Sequence, residues 1–304
     1  MPYDSIVCVK QVPDTANVTA EAMKEDGTVN RAALPTIFNP EDLHALETAL
    51  EVRDEYGGTV TVVSMGPPKA ADVLRDCLFR GADRAILITD RRAAASDTLA
   101  TSYILAQAAK TIGRFDFVFC GRQAIDGDTA QVGPQCAEKL GIPQITYLEK
   151  MVSIHDRVAR IKRNIGHGWE IVEAKLPVLV TVIETANEPR PQASKRVMRM
   201  KRARVSAEVA AEVKAAMPDA SEDQLAAERR CRIASLKTRG LLIEQWDLDT
   251  INADLSRCGL AGSPTKVHRV QAIVLTKEGF TEVLPTEAGV GQMIHELVVD
   301  RTWG

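Results

Sequence analysis

The first half of the chain alternates short apolar runs with longer segments in which apolar residues recur every three or four positions. Leu43, Leu46 and Leu50 show the second pattern, which is typical of a helix that buries one face. Short runs of β-branched and aliphatic residues are typical of buried strands. The predicted strands are residues 5–9, 59–63, 85–88 and 117–120. The predicted helices begin at Asn39-Pro40, after Pro67-Pro68, at Ser96 or Asp97 and after Cys120, and they end at Gly57, at Gly81, near Ile112 and at Gly141. At the first of these, we expect Asn39 to cap free N–H groups and Pro40 to occupy the first helical position.

This alternation predicts an α/β fold with a doubly wound, mostly parallel sheet. Helices should cover both faces of the sheet, because right-handed crossovers between parallel strands place them there. Ligands of such sheets bind beyond the carboxyl ends of the strands. The loops at those ends, residues 9–13, 64–68, 89–97 and 120–129, are therefore expected to lie side by side and to form a ligand site.

The second half of the chain has a different pattern. Residues 152–181 predict antiparallel strands around a Gly-His-Gly turn at 166–168. Residues 207–239 are rich in Ala and charged side chains, which predicts helix with an interruption at Pro218. Residues 286–299 predict a final helix. We therefore expect antiparallel strands and a C-terminal extension arm in addition to the parallel sheet.

Composition and charge exclude several classes of function. The net charge is −3, and the basic run at 195–204 has no interleaved aromatic residues, so a solvated or protein-docking segment is favoured over nucleic-acid binding. The six cysteines form no CxxC pair and the five histidines fall in no catalytic or zinc motif, which predicts free thiols and no metal site. No apolar run is long enough to cross a membrane. We expect a cytoplasmic protein that binds no nucleic acid and does not insert into a membrane.

The segment with the most chemical information is 120–134, which leaves a strand and enters a helix. Gly121 and Gly127 would allow a ligand to approach the backbone, and Gly127 is suited to a positive φ. The N–H groups at 128–130 would face an anion at the start of the helix. Arg122 is suited to bind a phosphate or to stack on a flat ring. A well-capped strand-to-helix turn with an exposed arginine explains the same residues, and the pattern leaves both interpretations open.

A second helix start, at 96–101, is rich in hydroxyl groups. Ser96, Asp97, Thr98 and Thr101 lie where hydroxyls and free N–H groups suit a pyrophosphate. Ordinary N-capping explains the same residues. Neither segment is a Walker A or a GxGxxG motif, so a nucleotide site must be argued from their combination.

Eight short segments, taken together, resemble the beta subunit of electron-transfer flavoproteins. They occur in the order typical of that family, and the resemblance covers about residues 1–204 and 240–285. The segments are residues 8–13, 39–40, 64–67, 81–83, 96–101, 121–133, 187–190 and 262–265.

The resemblance implies a heterodimer whose alpha subunit carries an FAD that passes electrons to partner dehydrogenases. Housekeeping beta subunits hold a structural AMP, whereas electron-bifurcating and nitrogen-fixation-associated ones hold a second FAD that accepts a hydride from NADH. The segments 124–134 and 96–101 resemble the bifurcating type. We therefore expect FAD with NADH as donor, and an acyl-CoA dehydrogenase-like, quinone oxidoreductase or ferredoxin partner. The alternatives are a non-bifurcating subunit with AMP and, in another class, an adenine-nucleotide sensor.

The same resemblance assigns roles to individual residues. The segment 96–101 would lie near the diphosphate and ribityl chain, through Ser96, Asp97, Thr98 and Thr101. Arg122 would lie beside the flavin as the catalytic residue. The residues implied to contact the adenylate half are Cys8, Asn39, Pro40, Glu41, Asp42, Met65, Gly121, Arg122, Gln123, Ala124, Ile125, Asp126, Gly127, Asp128, Thr129, Ala130, Gln131 and Val132.

The chain departs from the family pattern in two places. Residues 191–196 replace the usual sequence of the partner-recognition loop, and residues 205–239 resemble an insertion that forms a helical arm. We therefore expect a nucleotide- or flavin-binding domain at 1–190, a partner-recognition loop with a helical insertion at 191–240, and an extension at 241–304 that wraps the alpha subunit.

Overall fold

A computed structural model describes residues 1–14, 34–265 and 282–299 of the chain. The chain forms two compact units, residues 1–268 and residues 269–304. Of the extension predicted at 241–304, residues 266–281 and 300–304 lie outside the described residues.

The first unit contains eleven described strands and seven described helices. The strands are β1 (Ser5–Cys8), β2 (Gln11–Pro13), β3 (Thr36–Phe38), β4 (Val60–Met65), β5 (Arg84–Ile88), β6 (Phe117–Gly121), β7 (Gln144–His155), β8 (Val158–Asn164), β9 (Trp169–Lys175), β10 (Val178–Val182) and β11 (Glu244–Trp246). The helices are α1 (Pro40–Tyr56), α2 (Ala71–Arg80), α3 (Thr98–Ile112), α4 (Val132–Leu140), α5 (Ser194–Met200), α6 (Ser206–Ala216) and α7 (Glu222–Thr238). In the second unit the structure describes one helix, α8 (Glu287–Val299).

Nine of the strands form one sheet in the order β11-β5-β4-β1-β6-β10-β7-β8-β9. The pairs from β11 to β7 are parallel, and β7, β8 and β9 are antiparallel. This arrangement confirms the predicted α/β class with added antiparallel strands. It corrects one detail within 152–181, because β10 lies parallel between β6 and β7 instead of extending the antiparallel part.

Helices cover both faces of the sheet, as the alternation predicts. Val7 and Phe119 belong to a core cluster that includes side chains of α1 and α2. Their strand neighbours Ile6 and Val118 belong to a second cluster with α3 and α4. Because successive side chains of a strand point to opposite faces, each central strand contributes to both cores. The carboxyl ends of β1, β4, β5 and β6 are thereby held along one edge.

The segment expected to be a helical arm is helical. Helices α6 and α7 are separated at residues 217–221, where Pro218 lies. Val209, Val213 and Leu225 form a small core cluster of their own, distinct from the two clusters of the sheet. The arm therefore has a small core of its own, and Arg75 of α2 ties it to the sheet domain through an ion pair with Glu208 at 2.9 Å. Among the described helices, none has the length and apolar character that a membrane span requires.

This separate cluster makes the arm a unit that can be weakened alone. Leu225 is 4% exposed, so Leu225→Ala is expected to destabilise the arm by about 2 kcal/mol through lost burial and a cavity. Hydrogen exchange of α6 and α7 should become faster while the amides of β1 and β6 stay protected. Leu255→Ala, at a side chain that is 44% exposed, is the control. Equal loss of protection in the sheet and in the arm would contradict a separate arm.

Candidate functional site

The amino end of α1 is bonded to the loop that follows β6. Asn39 Nδ2 donates to the carbonyl of Gln123 at 2.8 Å, and Asn39 Oδ1 accepts from the N–H of Ile125 at 3.1 Å. Glu41 Oε2 accepts from the N–H of Gln123 at 2.8 Å. The expected role of Asn39 as the side-chain cap of α1 is wrong, because its amide serves this tertiary contact and makes no cap bond. Its neighbour Pro40 occupies the first helical position, as predicted.

Asp42 is a buried carboxylate at the centre of the same junction. Its Oδ1 accepts from the N–H of Gly121 at 3.0 Å, and its Oδ2 accepts from the N–H of Lys10 at 2.8 Å. Burial raises the pKa of this carboxyl from 3.8 to about 7, although both hydrogen bonds oppose the shift. One side chain therefore joins the ends of two neighbouring strands to α1.

Position 121 requires glycine because α1 packs against it. This reason differs from the predicted one, which was the approach of a ligand to the backbone. A Cβ at this position would lie 2.5 Å from Asp42 Oδ1 and 2.7 Å from the Glu41 carbonyl carbon. Gly127 has open space around it and does not adopt the expected positive φ. Positive φ values fall instead on Asp128 at 46° and Ala130 at 51°.

The loop at 121–131 is longer than the sequence pattern indicated. Helix α4 begins at Val132, so the N–H groups at 128–130 do not belong to its first turn, as had been expected. Gln123 Nε2 donates to Asp128 Oδ1 at 3.0 Å, which holds the loop across its width. Residues 127–129 are exposed at its tip. The loop therefore presents its backbone to solvent from a fixed base.

Two further contacts fix the outer part of this loop. Lys10 Nζ forms an ion pair with Asp126 at 2.7 Å. Thr98 Oγ1 donates to Gln131 Oε1 at 2.8 Å, which joins the start of α3 to the end of the loop. The two segments singled out in the sequence for phosphate binding are thereby brought together. Cys8 and Met65 lie half-buried at the ends of β1 and β4 along the same edge.

The hydroxyl-rich segment at 96–101 is committed to internal contacts. The Asp97 carboxylate caps α3 by accepting from the N–H of Ala100 at 3.0 Å, and its second oxygen accepts from the N–H of Thr265 at 3.0 Å. Ser96 Oγ accepts from the N–H of Gly259 at 3.1 Å. These two side chains hold the returning chain at 259–265. Thr98 and Thr101 remain half-exposed in the first turn of α3.

Arg122, near the start of this loop, also borders a cleft that the sequence pattern did not predict. Its Nη2 forms an ion pair with Glu41 Oε1 at 2.7 Å, and its guanidinium carbon lies 5.8 Å from the ring centre of Tyr147. Its Nε is buried and has no hydrogen-bond partner within the described protein. The cleft has a volume of about 670 Å³. It is lined by Glu41, Arg122, Tyr147, Arg163, Asn164, Ile165, Gly166, Ile183, Glu184 and Thr185.

Tyr147 carries the most unusual backbone in this cleft. Its φ is +61°, a left-handed value that is uncommon for a bulky residue. The N–H of Tyr147 donates to Thr181 Oγ1 at 3.1 Å, which holds the strained position. Strain of this kind costs on the order of 1–3 kcal/mol and persists where the surroundings enforce it, often at binding sites. No sequence pattern marks this residue in advance, because it lies before the predicted strand region at 152–181.

The cysteines near the site are thiols with structural surroundings. Cys8 and Cys120 are register partners on β1 and β6. A hydrogen bond with Cys8, together with burial, raises the pKa of the Cys120 thiol well above its usual value, and burial also raises the pKa of Cys136. All six cysteines are free, as the sequence predicts. Within the described ranges, no group of side chains is arranged to hold a metal ion.

Comparison with known proteins decides the family. Residues 26–213 match the electron transfer flavoprotein domain. The chain is 39% identical over 292 residues to an electron transfer flavoprotein subunit beta of Clostridium acetobutylicum, with 96% of both chains covered. It is 40% identical to Protein FixA of Azorhizobium caulinodans, covering 95% of this chain and 92% of the relative. It is 37% identical to the caffeyl-CoA reductase-Etf complex subunit CarD of Acetobacterium woodii, covering 98% and 94%. The chain belongs to the electron-transfer flavoprotein family.

Membership confirms the resemblance and supports electron transfer as the general function of this flavoprotein-family chain. The family segment at 187–190 has a structural role in it. Arg190 Nε forms an ion pair with Glu47 at 2.9 Å, and Asn187 Nδ2 donates to the carbonyl of His44 at 3.0 Å. Both contacts attach the start of the predicted recognition region to α1, the same helix whose amino end holds the 121–125 loop.

The contact between Gly121 and α1 gives the flavoprotein-family site its first test. Gly121→Ala is expected to destabilise the nucleotide-free protein by about 2–3 kcal/mol, because the added methyl group meets backbone atoms of Glu41 and Asp42 that cannot move freely. Gly127→Ala is the matched control in the same loop, since its Cβ would meet no atom within 4 Å. Urea unfolding measures both variants. A similar stability for the two would refute the role assigned to Gly121.

The raised pKa of Asp42 predicts a specific pH dependence. Between pH 5 and about 7 the folded protein holds a proton on Asp42 that the unfolded chain has released, so stability falls as the pH rises. Over this pH range, we expect the free energy of unfolding of Asp42→Asn to fall by about 2 kcal/mol less than that of the wild type, because an amide does not titrate. Urea unfolding at pH 5, 6 and 7 gives the difference between the two proteins. Parallel stability curves would show that Asp42 is ionised throughout.

Proposed function

We propose that this chain is the beta subunit of a heterodimeric electron-transfer flavoprotein, in which it binds FAD and accepts electrons from NADH. The observation that carries the proposal is the cleft beside Arg122. An AMP would need only the loops at the strand ends, whereas a dinucleotide needs a second compartment. The cleft of about 670 Å³ is in the size range of ligand sites. Arg122 belongs to both the loop and the cleft lining, and Glu41 of the cleft lining accepts from the N–H of Gln123 in the loop. The two compartments therefore adjoin.

In this proposal the adenylate half lies along the 121–131 loop. The loop exposes backbone groups at 127–129, and contacts with α1, Lys10 and Thr98 hold its position. A rigid loop binds a nucleotide without an ordering cost. Cys8, Met65 and the first turn of α3 would border the same ligand, with Thr98 and Thr101 nearest the diphosphate and Ser96 and Asp97 supporting them.

The fit of a flavin ring is supported by the surroundings of Arg122. A buried guanidinium Nε without a partner is a donor that a ligand acceptor would satisfy. Tyr147, which also lines the cleft and is 37% exposed, offers an aromatic ring on which the flavin could stack. When bound, FAD would supply hydride acceptance and the passage of single electrons. Arg122 would bind and orient the ring and would stabilise the negative charge gained on reduction, while Glu41 holds the guanidinium in place.

The rest of the chain would serve assembly. We assign residues 1–190 to nucleotide binding, 191–240 to partner recognition and the helical arm, and 241–304 to an extension on the alpha subunit. Helix α8 supports the last assignment because it exposes five apolar side chains that a partner would cover. These side chains, between 38% and 62% exposed, are Val290, Met293, Ile294, Val298 and Val299. We also propose an acyl-CoA dehydrogenase-like partner and a cytoplasmic location. The name of the Acetobacterium woodii relative, a subunit of a caffeyl-CoA reductase-Etf complex, supports a partner that acts on an acyl-CoA.

The bound nucleotides distinguish the proposal from its alternatives. We expect the purified complex with the alpha subunit to release two FAD per heterodimer on denaturation, quantified by chromatography against standards. One FAD with one AMP would replace the proposal by the non-bifurcating form. AMP or ATP without any FAD would favour a nucleotide sensor. A complex stripped and reloaded with FAD alone serves as the control for loss during purification.

The role of Arg122 is tested by substitution. Arg122→Ala should slow flavin reduction by NADH about 100-fold, since a donor to developing charge is commonly worth about 2.7–4 kcal/mol. Arg122→Lys should retain part of the rate because it keeps the charge. Stopped-flow absorbance of the reloaded complex measures both.

A separate control is needed because Arg122→Ala leaves the buried Glu41 carboxylate without its ion pair. The double variant Glu41→Gln/Arg122→Ala removes that charge, so its stability should return toward that of the wild type while its reduction stays slow. Recovery of both properties would mean that Arg122 acts only by pairing with Glu41.

A further inference from the structure

A second cleft, of about 220 Å³, lies between the helical arm and the chain that leads into it. Four of its lining side chains are arginines, contributed by the segment after α5 and by α7 with its cap. The lining residues are Arg202, Arg204, Val209, Glu212, Arg232, Ser235, Leu236 and Arg239. Two contacts hold the base of the cleft in place. The backbone of Arg204 forms a parallel β-bridge with Leu242, and Val209 packs in the small core of the arm.

The charges around this cleft are not balanced. Arg204 forms an ion pair with Glu212 at 2.7 Å, and Arg232 forms one with Glu228 at 2.7 Å. The guanidinium groups of Arg202 and Arg239 are exposed and contact no carboxylate among the residues that the structure describes. Two positive charges therefore remain in a concave site. Like charges that line one cleft repel each other, so an anion between them would stabilise the arrangement.

We propose that this cleft binds a phosphoryl group of a small phosphorylated ligand. Guanidinium groups present planar pairs of donors that match phosphate oxygens, and several of them around one anion form charge-assisted hydrogen bonds. A cleft of about 220 Å³ suits a phosphoryl group with part of its carrier and is small for a folded segment. The floor supplied by Val209 and Leu236 would contact an apolar part of that carrier.

The site is separate from the FAD site of the proposed function. None of its lining residues belongs to the loops at 8–13, 39–42, 64–68, 96–101 or 121–132. The basic run at 195–204 supplies only Arg202 and Arg204, and the other two arginines come from the arm. The arm thus supplies half of the arginines of this site. If the cleft does not bind phosphate, the FAD proposal is unaffected.

Direct binding measurements test the proposal. Isothermal titration of the heterodimer, loaded with its nucleotides, would use inorganic phosphate, pyrophosphate and a phosphate monoester of a sugar. We expect saturable binding that Arg202→Ala/Arg239→Ala weakens at least tenfold, because each charge-assisted bond is commonly worth more than the roughly 1.4 kcal/mol that tenfold represents. Tighter binding of the monoester than of free phosphate would identify an organic phosphate as the source, and the reverse order would identify a free anion.

Matched variants separate a built site from general charge. Lys110→Ala/Arg114→Ala removes two exposed positive charges at the end of α3 and should leave binding unchanged. Glu212→Gln should strengthen binding severalfold, since it frees Arg204 from its ion pair. Circular dichroism of each variant checks that the substitutions, which are at exposed positions, leave the fold intact.

Three results would overturn the proposal. One is the absence of saturable phosphate binding by the wild-type complex. Another is an equal loss of affinity in the arginine variant and the Lys110/Arg114 control. The third is arginine-dependent binding of polyglutamate with no binding of phosphate, which would identify the cleft as a docking surface for an acidic protein segment.

Discussion

The architecture of the site depends on burying three polar side chains at the amino end of α1. Asn39, Glu41 and Asp42 are each less than 8% exposed, and such groups are stable inside a protein only when they are hydrogen-bonded. Their partners are backbone groups between Gly121 and Ile125, together with the N–H of Lys10 just after β1. Separating α1 from the loop would leave all three unsatisfied. The loop therefore has one position, which the sheet and helix dictate together.

A second set of hydrogen bonds connects this edge of the sheet to residues 263–265. Ser263 Oγ accepts from the N–H of Asp97 at 2.8 Å, while the Asp97 carboxylate holds Thr265. Thr98 then bonds to Gln131, which carries the connection into the 121–131 loop. A part of the chain distant in sequence thus supports the same edge of the sheet. The segment at 96–101 is consequently a hub between loops, and its proposed contact with a diphosphate would use only the groups that remain exposed.

The sequence predicted the strands, helices and sheet class because these depend on local periodicity, and glycines at 57, 81 and 141 marked helix ends correctly. It predicted neither the place of β10 between β6 and β7 nor the role of Asn39. Both depend on partners distant along the chain: an Asn before a Pro is equally suited to cap a helix or to bond a neighbouring loop. The cleft beside Arg122 was also hidden, since Tyr147 and Arg163 approach it only after the antiparallel strands fold. The predicted site residues along the sheet edge do lie together, while their ligand contacts remain predictions.

A net charge of −3 conceals a separation of charge that the fold creates. At the sheet edge, the buried carboxylates of Glu41 and Asp42 are bonded to backbone donors, and Glu41 also pairs with Arg122. By contrast, four arginines line the cleft at the arm, and among the described residues only Arg204 and Arg232 of these form ion pairs. Electrostatic interactions between exposed groups are screened over about 8 Å at physiological salt, so an anion bound in the arm cleft acts mainly on groups within that distance. An anionic ligand at the arm would thus change recognition by that region without altering the field at a flavin beside Arg122.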